Sequence, residues 1–135
     1  MPRYSIILLL LFTGGCAVGG ARPLRPYELA LLPYGEGQPE SFVGSLSYEG
    51  RCLQFRRDGD GTMLIPIWPT GSSSKEQLII FHRPAKADQR VAVGEEVRLD
   101  GQTTTWASLP GRYFEGFKVH CGGAPFLVRG LAPAN

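Results

Sequence analysis

The 135 residues contain no apolar run long enough to cross a bilayer as a helix, which takes about 20 consecutive apolar residues. Charges and prolines interrupt every apolar stretch, so a membrane-spanning helix is excluded. Excess charge is missing too: 14 Lys and Arg face 12 Asp and Glu, with no concentrated basic face of the kind nucleic-acid binding needs. Catalytic signatures are equally scarce. There is no Gly-x-Ser-x-Gly elbow, phosphate loop, dinucleotide fingerprint or metalloprotease motif. Cysteine is limited to three residues, Cys16, Cys52 and Cys121. These absences predict a non-enzymatic protein with no cofactor, no metal and no nucleic-acid partner.

The N-terminus carries the strongest positive signal. Arg3 precedes a short apolar segment, residues 6–12, followed by Thr13, Gly14, Gly15 and Cys16. A basic start, a short apolar core and small residues before a cut site make a secretory signal peptide. The cut site resembles that of bacterial lipoproteins, with Thr13 where leucine is usual. The resemblance covers the first sixteen residues only. It implies cleavage before Cys16, diacylation of its sulfur, acylation of its new amino group and anchorage in the cell envelope. Ala17 then implies the periplasmic face of the outer membrane, where the organism has one. Several acyl chains exceed the two signals that stable anchoring requires. Ordinary cleavage after Gly19, Gly20 and Ala21 is the alternative, and would release a soluble secreted protein from Arg22.

The expected organisation is a signal peptide at 1–15, a lipidated N-terminus and tether at 16–40, and a domain at 41–135. Prolines and glycines crowd the tether and deny it a long regular element. Within it, residues 27–32 are apolar enough for a helical turn or an added edge strand.

From Ser41 onward, short apolar runs alternate with turns rich in the 18 glycines and 11 prolines. Phe42, Gly44, Leu46 and Tyr48 share one parity, as in a half-buried strand. Leu53 and Phe55 continue the core side on the next strand, leaving Cys52 and Gln54 on the other. Asp58, Gly59, Asp60 and Gly61 make a turn. As a calcium loop it fails, because Met63 falls where glycine is obligatory. Further strands are predicted over 63–68, where Pro66 marks an edge or bulge, and over 78–81. Others are predicted over 91–101, along Tyr113, Phe117, Val119 and Cys121, and over 126–128. Glycine, acidic residue and alternating apolar positions over 91–101 resemble a strand pattern of small oligonucleotide/oligosaccharide-binding (OB-like) barrels. The prediction is an all-β domain of about seven short strands: a small, partly open antiparallel barrel or a sandwich.

With Cys16 assigned to lipid, Cys52 and Cys121 are expected to form a disulfide in an oxidising envelope. The rival is a zinc site adding His82 and His120, which lacks the tight ligand spacing of structural sites. The aromatic residues Trp68, Trp106 and Tyr113 are candidates for stacking on a ligand, with Trp106 set among threonines and serines. Three functions compete. The first is an envelope lipoprotein whose β domain binds a protein or glycan partner or supports envelope structure. The second is a hydrolase or metal-dependent enzyme using His82, His120 and an acid such as Glu115. The third is an unlipidated secreted inhibitor or ligand carrier.

Overall fold

The computed structural model describes residues 30–32 and 39–135, so Cys16, the signal segment and most of the tether lie outside the described residues. The chain forms β1 (Leu31–Leu32), β2 (Glu40–Glu49), β3 (Cys52–Arg57), β4 (Met63–Pro69), β5 (Ser73–Lys75), β6 (Leu78–Phe81), β7 (Gln89–Ala92), β8 (Glu96–Thr103), α1 (Gly111–His120) and β9 (Ala124–Pro133), with one 3-10 turn at Trp106–Ser108 before α1. The all-β prediction is met by a small barrel. Strands β4, β3, β2, β8 and β9 pair in that order, and a further pairing of β4 with β9 closes the ring. That last pairing is parallel, running from Leu64 opposite Ala124 to Ile67 opposite Leu127. The barrel is therefore closed where the sequence suggests a partial opening, and one of its seams is not antiparallel.

Strand β4 explains the closure. Leu64 and Trp68 turn into the barrel, while Ile65 and Ile67 turn outward yet are equally buried. A strand with apolar side chains on both faces needs cover on both. Helix α1, Trp106 and Ala30 supply the outer cover. Pro66 sits inside this strand rather than at an edge. The ladder to β3 joins only Phe55 to Leu64 and Arg56 to Met63, and so stops short of the residue that has no N–H to give.

The helix corrects the strand expected along Tyr113, Phe117, Val119 and Cys121. Period-two spacing grouped those positions, but the buried face follows helical spacing: Phe114, Phe117 and Cys121. Val119 is 69% exposed on the opposite side. Lys118 and His120 occupy the last turn, where cationic or dipolar side chains favour the negative helix end.

Strands β5, β6 and β7 form a separate three-stranded sheet. Its apolar face, with Ile79, Phe81 and Val91, joins the barrel core. Tyr48 bonds Ser74 across to this sheet, and burial raises the phenol pKa while that bond opposes the rise. Nine strands are present among the described residues instead of about seven. Leu31–Leu32 and Ser73–Lys75 are additions, and the stretch 91–101 divides at the turn around Gly94. The apolar segment inside the expected tether thus docks in part: Leu31 and Leu32 run parallel to Trp68 and Pro69, and the Trp68 N–H donates to the Ala30 carbonyl at 2.7 Å.

Closure brings β8 and β9 together at a bulge between Asp100 and Gly101. A Cβ at Gly101 would overlap the Leu127 carbonyl oxygen and press on the Phe126 ring. Gly101→Ala is expected to cost more than about 2 kcal/mol through overpacking, read as a lowered midpoint in denaturant unfolding. An unchanged midpoint would show that the seam can relax.

A polar cleft beside the disulfide

Cys52 and Cys121 form the expected disulfide, with their Cα atoms 5.6 Å apart. It joins the start of β3 to the residue capping α1, not to a late strand, because the later cysteine follows a helix. Both sulfurs are thereby consumed, so the rival zinc set does not assemble. The bond lies outside the main core in a small cluster with Ile65, in keeping with the outward parity of Cys52.

Gln54 follows Cys52 on the same outward face of β3 and is 6% exposed. Its Nε2 donates to the Gly122 carbonyl at 3.4 Å, a long bond. Its Oε1 is buried with no hydrogen-bond partner. Such an atom costs about 1–3 kcal/mol relative to a satisfied one. Gln54 helps to line a cleft of about 400 Å³ with Glu49, Cys52, Met63, His120, Gly122 and Gly123. The β2–β3 hairpin supplies Glu49, and the end of α1 supplies His120 and the glycines. Gly123 has a φ of 114°, and a Cβ there would lie 2.6 Å from the Met63 carbonyl oxygen. Only glycine lets the chain pass so close to β4 in that conformation. The Trp106 Nε1–H donates to the Gly123 carbonyl at 3.2 Å, so the half-buried indole braces this wall.

The other candidate residues scatter. Trp68 is a correction: it is 1% exposed, packed edge-on against Phe81 at 6.1 Å, and has no face to offer a ligand. Trp106 is half-buried, against Phe114 and the disulfide cluster. Tyr113 lies in α1, its side chain outside the described set. His82 sits in the β6–β7 loop with Nδ1 2.9 Å from Asp88 Oδ1. His120 lines the cleft at the end of α1 instead, and Glu115 is exposed on that helix. Among the described residues no group of three or more His, Cys, Asp or Glu is placed to hold a metal.

A second cleft, of about 470 Å³, lies between the β6–β7 loop and β9, with Arg83, Lys86, Asp100 and Arg129 on its walls. Three of these four charged groups are bonded within the fold. Arg83 donates twice to the Ala87 carbonyl, Arg129 reaches Gln102, and Asp100 accepts from Ser41. The Gln54 cleft is distinguished by a buried acceptor that the fold leaves unmet. No family model matches the chain, and no curated protein or solved structure shows significant similarity to it. The site therefore stands on its own geometry.

Gln54 was not foreseen from the sequence. The available signal was a polar residue beside Cys52 on the outward parity of an apolar strand. Two outcomes follow. Gln54→Met keeps the length of the chain and removes the unmet acceptor, so unfolding free energy should stay level or rise by about 1 kcal/mol. A fall of more than about 2 kcal/mol in denaturant unfolding would make the amide a structural brace. Replacing Cys52 and Cys121 together by alanine should remove about 2–4 kcal/mol of stability. It should also speed amide hydrogen exchange at Gly122 and Gly123, measured by mass spectrometry, and unchanged exchange there would show that the disulfide does not hold this wall.

Proposed function

We propose that this chain is a bacterial envelope lipoprotein, anchored through acyl chains on Cys16, whose OB-like barrel binds a ligand in the Gln54 cleft and performs no chemistry on it. The single observation carrying the binding role is the buried, unmet Oε1 of Gln54, a residue that lines an open cleft. Folded proteins satisfy the great majority of buried polar atoms, and of the side-chain atoms left unmet among the described residues Gln54 Oε1 is the one acceptor. The anchoring role is supported by the basic, apolar and small-residue order of residues 3–16. A disulfide at the cleft wall suits an oxidising compartment.

In this reading the barrel is a rigid carrier for the site. Gln54 and Met63 come from paired strands, and the glycine wall is clamped from two sides, by the disulfide and by Trp106. Sites on such elements are preorganised, which lowers the ordering cost of binding.

Anchorage is tested by expressing the wild-type chain and Cys16→Ser in a bacterial host. Wild type should stay in the membrane pellet through a high-salt wash and release into detergent, with a mature N-terminus heavier by its acyl groups in mass spectrometry. Cys16→Ser should be unprocessed at that site and lack the acyl mass. An unmodified mature protein beginning at Arg22 would overturn the lipoprotein reading.

A further inference from the structure

We infer that the cleft between the β6–β7 loop and β9 is a second ligand site, one that takes a phosphate monoester. The fold concentrates charge there that the balanced sequence does not announce. Arg83 and Lys86 come from the loop and Arg129 from β9, and all three line the cleft. Arg129 is the extra residue of the β8–β9 bulge: Asp100 pairs with Gly130 and Gly101 with Val128, so Arg129 has no residue opposite it. Bulges recur beside functional sites, where they redirect a side chain.

The loop is preset. Ala85, between the two loop cations, has a φ of 58°, a left-handed conformation that non-glycine residues adopt where their surroundings hold them in it. Arg83 closes this turn, its Nε and Nη2 both donating to the Ala87 carbonyl, at 3.0 and 2.7 Å. Those bonds use one edge of the guanidinium. Nη1 and the second Nη2 hydrogen form the other edge, a two-pronged donor that fits a pair of phosphate oxygens. Lys86 is exposed, and its ammonium has no hydrogen-bond or ion-pair partner among the described residues.

Charge selects the ligand class. The lining sets three cations against one acid. That acid, Asp100, is answered from outside the cleft: its Oδ1 accepts from the Ser41 hydroxyl at 2.6 Å and lies 3.7 Å from Arg98 Nε. Asp88, in the same loop, is held 2.9 Å from His82 Nδ1. A phosphate monoester carries a charge of about −1.5 to −2 at pH 7 and matches the surplus, whereas a single carboxylate leaves part of it unmet. The volume of about 470 Å³ exceeds that of a phosphate group. It leaves room beside Pro84 and Leu131 for the organic part of a small phosphorylated molecule, or for the first atoms of a lipid.

The test uses the isotope-labelled full chain in uncharged detergent micelles at low salt, observed by NMR. Glycerol 3-phosphate, glycerol, acetate, and phosphatidic acid mixed into the micelles are added in separate titrations. Saturable shifts across residues 83–89 and 129–131 with glycerol 3-phosphate mark a soluble ligand, and with phosphatidic acid alone a lipid headgroup. Either supports the inference when glycerol gives no shift. Lys86→Gln, a change at an exposed side chain, should then weaken binding roughly threefold or more, and Asp100→Asn should tighten it. Phosphate binding that Lys86→Gln does not weaken, or that Asp100→Asn does not tighten, overturns the assignment to this cleft. Equal shifts with glycerol, or acetate bound as tightly as glycerol 3-phosphate, overturn the phosphate class. No saturable shift with either phosphate overturns the inference outright.

Discussion

Strand β4 places apolar side chains on both of its faces and so cannot lie at a surface, and most of the architecture answers that requirement. Inside, Leu64 and Trp68 meet the barrel core. Outside, Ile65 and Ile67 would face water without α1, the 3-10 turn and Ala30. Laterally the strand accepts β3, β9 and β1. The barrel is closed because β9 runs parallel to β4, and β9 can reach that position because the chain first travels through a helix. A parallel pairing cannot be made by a tight hairpin and needs a longer crossover. The same crossover delivers Cys121, Gly122 and Gly123 to the start of β3, and this creates the cleft.

Much of this was legible in residues 41–135, and the exceptions have physical causes. Alternation at Phe42, Gly44, Leu46 and Tyr48 marks β2 correctly, because one face meets the core and the other does not. Alternation failed at residues 111–121 because Phe117 and Cys121 fit both periods, two and 3.6. Only Phe114 and the exposed Val119 separate the two patterns. Pro66 suggested an edge, yet the strand tolerates it where one ladder has already ended. Trp68 lies next to a loop in sequence and in the core in space, since its neighbour Pro69 is still part of the strand. The separate β5–β7 sheet was half visible: Ile79 and Phe81 announce burial, but nothing local says that they leave the barrel.

The site was harder to see than the fold. A cleft is a relation among distant segments, here residues 49–63 and residues 120–123. The disulfide was the one expected long-range tie, and the cleft lies beside it. Sequence reasoning favoured aromatic residues because they dominate recognition surfaces. The structure spends Trp68 and Trp106 on packing and lines the cleft with a glutamine instead. An unmet buried acceptor lowers stability, and natural proteins accept such losses chiefly at functional sites.

The docking of Leu31–Leu32 against β4 has a geometric corollary. Ala30 is already part of the folded body, its carbonyl bonded to Trp68, so any leash from Cys16 has fourteen residues to run rather than twenty-five. Fully drawn out, that length spans about 50 Å. An anchored barrel would then patrol a shell only a few nanometres deep above the lipid surface, and could meet only what lies within it.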